Sequence, residues 1–170
     1  MIAVINASPL IYLSKLGVIE ILPKLFKKIV TTPAVKQEVL QEENAPEHTI
    51  LNEIFNQWLE VTTVKGEVVK SLLKLQIHRG EAEIIALGRK LQTQEKTVVI
   101  LIDDLLAREI ANSLGLMVTG TVGTLLRALK MKEITRKKCR TLMEQLITTT
   151  DFRLSAKLYA RIIREIERIE

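Results

Sequence analysis

The residues of this sequence best suited to chemistry are acids and one amide, placed where apolar runs give way to helical stretches. Asp103 and Asp104 end the apolar run 98–102, Glu38 lies in a stretch opened by Thr32 and Pro33, Glu81 and Glu83 follow Gly80, and Asn6 follows the apolar run 2–5. Carboxylates gathered in one pocket repel one another and call for a cation. Hard oxygen ligands without Cys or His beside them select Mg²⁺ or Mn²⁺ over zinc. Such a centre can activate water for attack on a phosphodiester and stabilise the leaving oxygen.

Each acid also has a plainer reading. Asp104 is well placed to cap the helix that follows it, and Glu81 and Glu83 suit the positive end of a helix dipole. Glu38 stands beside Val35 and Val39 and so borders a buried face. Residues two apart point to different sides of a helix, so only one of Glu81 and Glu83 is expected to face the core. Glu81 shares its side with Ile84 and Ile85 and is the first choice.

The elements that must position these residues alternate between strand and helix. The run 98–102 is short, rich in β-branched residues and apolar on both faces, which suits a central strand of a parallel sheet. Strands are also expected at 2–5, 29–31, 59–64 and 116–118, and helices at 18–26, interrupted or started near Pro23, and at 33–41, 47–57, 67–75, 80–91, 105–114 and 120–129. The first helix is expected to run to about residue 16, with Ser8 as N-cap and Pro9 in its first position. For 105–114 the apolar stripe reads as residues 106, 110 and 114. This rhythm is that of an α/β fold, in which ligands collect beyond the carboxyl ends of the strands. Past residue 133 only helices are expected, at 136–147 and 154–169. The last carries a stripe of Leu154, Leu158, Ile162, Ile166 and Ile169, to be covered by its own domain, by a second copy in a homodimer or by a partner.

Composition narrows the function. A chain of 170 residues fits one domain with a real core. With the single cysteine, Cys139, no disulfide can form within the chain, and a reducing cytoplasm is the expected home. No apolar run has the length of a membrane span and no leader pattern opens the chain, so a soluble protein without membrane contact is expected. The net charge of +5 inclines it toward an anionic partner, and the scarcity of aromatics argues for phosphate contacts over base stacking.

Weaker signals leave two readings each. Gly120 and Thr121, between strand and helix, either receive a phosphate on backbone N–H groups or form a tight turn with Thr as cap. The basic run of Arg127, Lys130, Lys132, Arg136, Lys137, Lys138 and Arg140 either guides RNA phosphates or is a solvated helix face. Arg108 is nearer the acids and is the better phosphate contact. His48 and His78 have no companions at metal-ligand spacing, and Ser8 has no His and Asp partners for a nucleophilic triad.

Five motifs carry a resemblance: Asn6-Ala-Ser8-Pro, the Thr-Pro-Ala-Val helix that reaches Glu38, Gly80-Glu-Ala-Glu83, Asp103-Asp104 with Arg108 four residues on, and Gly120-Thr121 with Gly123. In this order they resemble the PIN domain superfamily, in its prokaryotic branch of predicted nucleic-acid-binding proteins, over about residues 2–133. The resemblance implies a three-layer α/β/α domain at 1–133 with a central parallel sheet, and leaves 134–170 as a helical extension packed on the domain or on a partner. It implies a metal-dependent endoribonuclease acting on single-stranded RNA with Mg²⁺ or Mn²⁺. Many relatives are the toxins of toxin–antitoxin pairs, so RNA and an antitoxin protein are the implied partners.

By position, Asn6 stands where the family has its first aspartate. Glu38 matches the helical glutamate, Glu81 or Glu83 the third acid, and Asp103 and Asp104 the last. Ser8 matches the small polar residue that steadies the first. An amide oxygen at position 6 can still coordinate a hard cation but lacks the charge that tightens it. The alternative is therefore a catalytically weak PIN-like protein that binds nucleic acid or regulates. A small-nucleotide-binding α/β protein ranks lower, since no glycine-rich dinucleotide fingerprint is present.

Overall fold

The computed structural model describes residues 1–94 and 97–169. Five strands, β1 (Ile2–Ile5), β2 (Lys28–Thr31), β3 (Leu59–Val61), β4 (Val98–Leu101) and β5 (Met117–Thr119), form one parallel sheet in the order β3-β2-β1-β4-β5. The two central strands carry apolar residues on both faces because helices cover both sides, and β4 is buried along its whole length. The fold is the expected α/β class. Ile5 pairs with Leu101, so the carboxyl ends of β1 and β4 finish level with each other.

Ten helices connect and cover the strands among the described residues: α1 (Ala7–Lys15), α2 (Leu22–Leu25), α3 (Pro33–Val39), α4 (His48–Gln57), α5 (Glu67–Leu73), α6 (Arg79–Gln92), α7 (Leu105–Ser113), α8 (Thr121–Lys130), α9 (Arg136–Thr148) and α10 (Ala156–Arg168). Thr32 and Pro33 open α3 as the sequence suggests, but α1 starts two residues before the expected place, with Asn6 rather than Ser8 as its N-cap. The backbone turns into the helix directly from the end of β1, so Asn6 is held at the strand–helix junction. The stretch 18–26, expected as a short helix interrupted or started near Pro23, is a 3₁₀ turn, Ile19–Ile21, followed by the short α2, which carries Pro23 in its first turn.

Two helices depart from their expected faces. On α7 the fully buried residues are Ala107 and Ala111, while Leu105 and Leu106 are 71% and 45% exposed. Small side chains let this helix lie close against α6 and β5, which turns its first two leucines to solvent. On α6, every residue from 80 to 88 is buried, because β1, β4, α3, α5 and α7 all pack on it. Glu81 and Glu83 therefore both lie inside, contrary to the expectation that only one does.

The C-terminal helices dock on the body of the domain. Cys139, Leu142, Met143 and Leu146 of α9 are fully buried, α9 lies on α8, and α10 covers α9 with Ile162 and Ile166. Arg136 donates to the Ile169 carbonyl at 2.6 Å, Lys130 pairs with Glu165 at 3.1 Å and Arg140 with Glu167 at 3.0 Å. Much of the basic run thus holds the tail, although exposed pairs of this kind add little stability. No helix among the described residues is long and apolar enough to cross a membrane.

Candidate active site

The sheet order reverses direction between β1 and β4, and the crevice beyond their carboxyl ends is where open α/β sheets bind ligands. The Asn6 N–H donates to the Leu101 carbonyl at 2.9 Å and the Ile102 N–H to Thr119 at 2.8 Å, so sheet pairing runs one residue past both strands. Asn6 and Asp103 consequently flank the crevice. Asn6 is 5% exposed, and its Oδ1 accepts no hydrogen bond from Ser8 or any other described residue. A buried oxygen without a partner is costly and points to something missing from the site.

Gly80, in the first turn of α6, explains how Glu38 reaches Asn6. A Cβ at Gly80 would stand 3.3 Å from Glu38 Oε2, 3.5 Å from Asn6 Oδ1 and 3.4 Å from Val35 Cγ2. The two oxygens thus border one small cradle whose floor is the glycine backbone. Glu38 makes no hydrogen bond or ion pair to any described residue, and its residue is exposed. Partial burial of the carboxyl still raises its pKa, opposed by the nearby His78.

The remaining acids are each engaged at a helix start. Asp103 accepts the Thr121 N–H at 2.8 Å and the Thr121 hydroxyl at 2.6 Å, at the head of α8. Burial raises the Asp103 pKa against these two bonds and the charge of Arg108. Gly120 is required beside it, since a Cβ there would overlap Asp103 Oδ1 and Arg108 Nη1. Asp104 is exposed and caps α7 by accepting the Ala107 N–H at 2.8 Å. Glu81 accepts the His78 N–H at 2.9 Å at the start of α6. Its pKa is raised chiefly by burial, with Asp104 and Glu38 adding to the rise and the His78 N–H bond opposing it. Glu83 accepts from Arg79 Nε at 2.9 Å and from the Ala34 N–H at 3.4 Å, tying α6 to the head of α3.

Two residues expected to meet phosphate, Thr121 and Arg108, make bonds within the fold. Thr121 is fully buried and gives both its donors to Asp103, so an external phosphate cannot take them; nor is it a cap, since it is the first residue of α8 and Gly120 is the N-cap. Arg108 is half-buried and donates from Nη1 to the Ile102 carbonyl at 3.1 Å, which makes it a wall of the Asp103 site. Ser8 lines a separate hollow, described next.

Glu38 is shared by two hollows. The larger, about 910 Å³, lies between α3, the segment 63–65 and the head of α6, and is lined by Gln37, Gln41, Thr63, Lys65, His78 and Arg79 among others. The second, about 570 Å³, lies between α1 and the segment 42–47 and takes in Ser8, Tyr12 and Asp151. Sequence reasoning missed Tyr12 and Asp151. The Tyr12 hydroxyl donates to Asp151 at 3.1 Å and its ring meets Phe152 edge-on at 5.1 Å. Burial, then Asp151 and, more weakly, Asp103 push the Tyr12 pKa up to about 12. No spacing rule links positions 12 and 151, so only the docking of the tail reveals them.

The donor set around Gly80 fits a hard divalent cation: an orphaned amide oxygen, a carboxylate without an internal partner, and no sulfur or ring nitrogen between them. Among the described residues no three His, Cys, Asp or Glu side chains converge closely enough to form a metal group by themselves.

A parallel sheet of this order, with polar and acidic side chains gathered at the carboxyl ends of β1 and β4, defines an α/β protein with its candidate site at the sheet's switch point. The chain belongs to the PIN domain family: residues 2–168 match the DUF3368 family model, a PIN domain, and PIN domains are in general nucleases that use divalent metal ions. The match extends through α9 to the end of α10. No curated protein matches the chain.

Proposed function

We propose that this PIN domain is a metal-dependent endoribonuclease acting on single-stranded RNA, with Mg²⁺ or Mn²⁺ held by Asn6 and Glu38 and with Asp103, Asp104, Glu81 and Glu83 supplying the surrounding negative field. The observation that carries the reading is the buried, partnerless Asn6 Oδ1 facing the Glu38 carboxylate across the Gly80 cradle. When bound, the ion supplies a Lewis acid that polarises the phosphoryl oxygens and activates water.

The chain's own groups do the rest. Glu38 has no internal bond to give up, so its carboxylate would be free to serve as a ligand beside the Asn6 oxygen. The two Thr121 bonds hold Asp103 in one orientation, Arg108 stands beside it with Nη1 on the Ile102 carbonyl, and His78 stands by the mouth, where a positive charge favours ionised Glu38 and Glu81.

The test is cleavage of labelled single-stranded RNA with and without Mn²⁺, beside E38Q and N6D variants. E38Q is preferred to changes at Asp103 or Asp104, which would also strip a helix of its cap. Cleavage lost in chelator and in E38Q, and increased in N6D, is the expected result. Cleavage that persists in E38Q overturns the assignment.

A second reading, binding without cleavage, is favoured by one observation: Asp103 spends both oxygens on Thr121 and Glu83 is paired with Arg79, leaving few free charges for an ion. RNA retained without cleavage by the native chain but cleaved by N6D supports it.

A further inference from the structure

Glu38 divides two hollows that differ in charge, and that asymmetry says which of them suits an RNA strand. The smaller hollow carries Glu38, Glu42, Glu47 and Asp151 against Lys15 alone, and Lys15 is itself 3.8 Å from Glu47. A phosphate entering there meets a field of its own sign. The larger hollow carries Glu38, Glu43 and Glu83 against Lys65 and Arg79, with Glu83 paired to Arg79 Nε at 2.9 Å, and is the less acidic of the two. Lys65 is exposed and makes no hydrogen bond or ion pair to any described residue. Its ammonium is available to a phosphate.

The same hollow offers what a nucleobase needs. Its volume of about 910 Å³ lies in the range of small-molecule sites, roughly 300–1,000 Å³. Pro33, Leu40 and Val64 give it apolar surface for a base face, while Gln37 and Gln41 bring amide donors and acceptors able to read a base edge. Gln37 and Gln41 are exposed and their side chains have no partner among the described residues. This is recognition of a splayed-out base, and the scarcity of aromatic residues does not stand against it.

We propose that the hollow between α3, the segment 63–65 and the head of α6 seats one nucleotide of single-stranded RNA, with Lys65 on its phosphate and Gln41 on its base. This rests on the RNA reading given above and adds the hollow the strand occupies and the source of any base preference. The second hollow stays empty of nucleic acid.

The experiment is fluorescence anisotropy of a labelled single-stranded RNA 12-mer in chelator, over a salt series, with homopolymers of each base as competitors. Binding without metal reports the subsite independently of cleavage. K65E is expected to weaken binding about tenfold, the worth of one charge-assisted bond. It should also lower the slope of log K against log salt by about 0.7, the share of one phosphate on a single strand. Q41A should flatten the ranking of the four homopolymers, and E42Q, in the other hollow, should leave affinity within about twofold. A K65E affinity and salt slope equal to native, an unchanged homopolymer ranking in Q41A, or native protein that binds no RNA in chelator each overturns the subsite. If native protein cleaves RNA and K65E binds normally, the subsite fails and the nuclease reading stands. If K65E shows the loss but native protein never cleaves with Mn²⁺, the nuclease reading fails and the subsite stands.

Discussion

Replacing Gly80 by alanine separates stability from cation binding at one atom. The added methyl would lie 3.3 Å from Glu38 Oε2 and 3.5 Å from Asn6 Oδ1. The first of these is tight contact, but Glu38 Oε2 is the far end of a flexible, exposed side chain and can retreat by a few tenths of an ångström. Gly80 is helical, and alanine is favoured over glycine in a helix interior by up to about 1 kcal/mol, less in the first turn. In chelator, G80A should therefore unfold at the same urea concentration as native protein or a slightly higher one. The ion is another matter. Mg²⁺ demands near-ideal geometry at about 2.0–2.1 Å, and a Glu38 carboxylate pushed outward no longer meets that geometry together with the fixed Asn6 oxygen. At an ion concentration ten times the native Kd, native protein gains RT ln 11, about 1.4 kcal/mol. That corresponds to roughly 2–4 °C per kcal/mol in Tm for a chain of this size. A tenfold loss of affinity in G80A cuts the gain to RT ln 2, about 0.4 kcal/mol. The assay is thermal and urea unfolding of both proteins with Mn²⁺ and with chelator. A full ion increment in G80A refutes the cradle as the cation site. A metal-free G80A more than about 1 kcal/mol less stable than native refutes the premise that Glu38 can yield.

Two further outcomes follow from the hydrogen bonds and the pKa directions. T121V removes a buried 2.6 Å bond to Asp103 while keeping the backbone one, and should cost about 1.5–3 kcal/mol in urea unfolding; a loss below about 0.5 kcal/mol would mean that Asp103 does not depend on the hydroxyl. The pH profile carries the other. Glu38, Glu81 and Asp103 have folded pKa values raised above the ordinary 4.5 and 3.8, so above those values the folded chain holds protons that the unfolded chain has released. In chelator their contribution to stability is present at low pH and is lost as pH rises from the ordinary values through the raised ones. Mn²⁺, which binds the ionised forms, should reverse that slope. Subtracting the E38Q profile from native isolates the Glu38 part, and a difference that rises with pH in chelator would show the sign to be wrong.

The elements were legible where the pattern was unambiguous. Val98, Val99, Ile100 and Leu101 are β-branched or apolar on both faces and form the buried β4, and Thr32 with Pro33 marks the head of α3 because proline fixes the first helical turn. The Asn6 junction was harder. Ser8 and Pro9 offer a familiar cap signal, but a strand that turns straight into its helix lets Asn6 take the cap position without any side-chain hydrogen bond. The faces of α6 and α7 were not legible, since which side of a helix is buried depends on neighbours brought from elsewhere in the chain. Tyr12 and Asp151 were invisible for the same reason.

The candidate site shows why acids at strand ends are ambiguous. Four carboxylates stand here because helices start here: Asp103 serves the head of α8, Asp104 that of α7, Glu81 that of α6 and Glu83 that of α3. Helix N-termini draw negative charge whether or not an ion is to follow, so residue type and position look the same for a cap and for a ligand. The two roles separate only in the hydrogen-bond accounting. The four capping acids are satisfied by backbone N–H groups, whereas Asn6 Oδ1 and the Glu38 carboxylate are left without partners on either side of Gly80. An ion that draws on a capping acid must compete with the N–H groups it already holds, which makes the charge at position 6 matter more than a count of nearby acids implies. This is why the single change N6D is expected to increase cleavage, whereas another acid placed at a helix head would add one more cap.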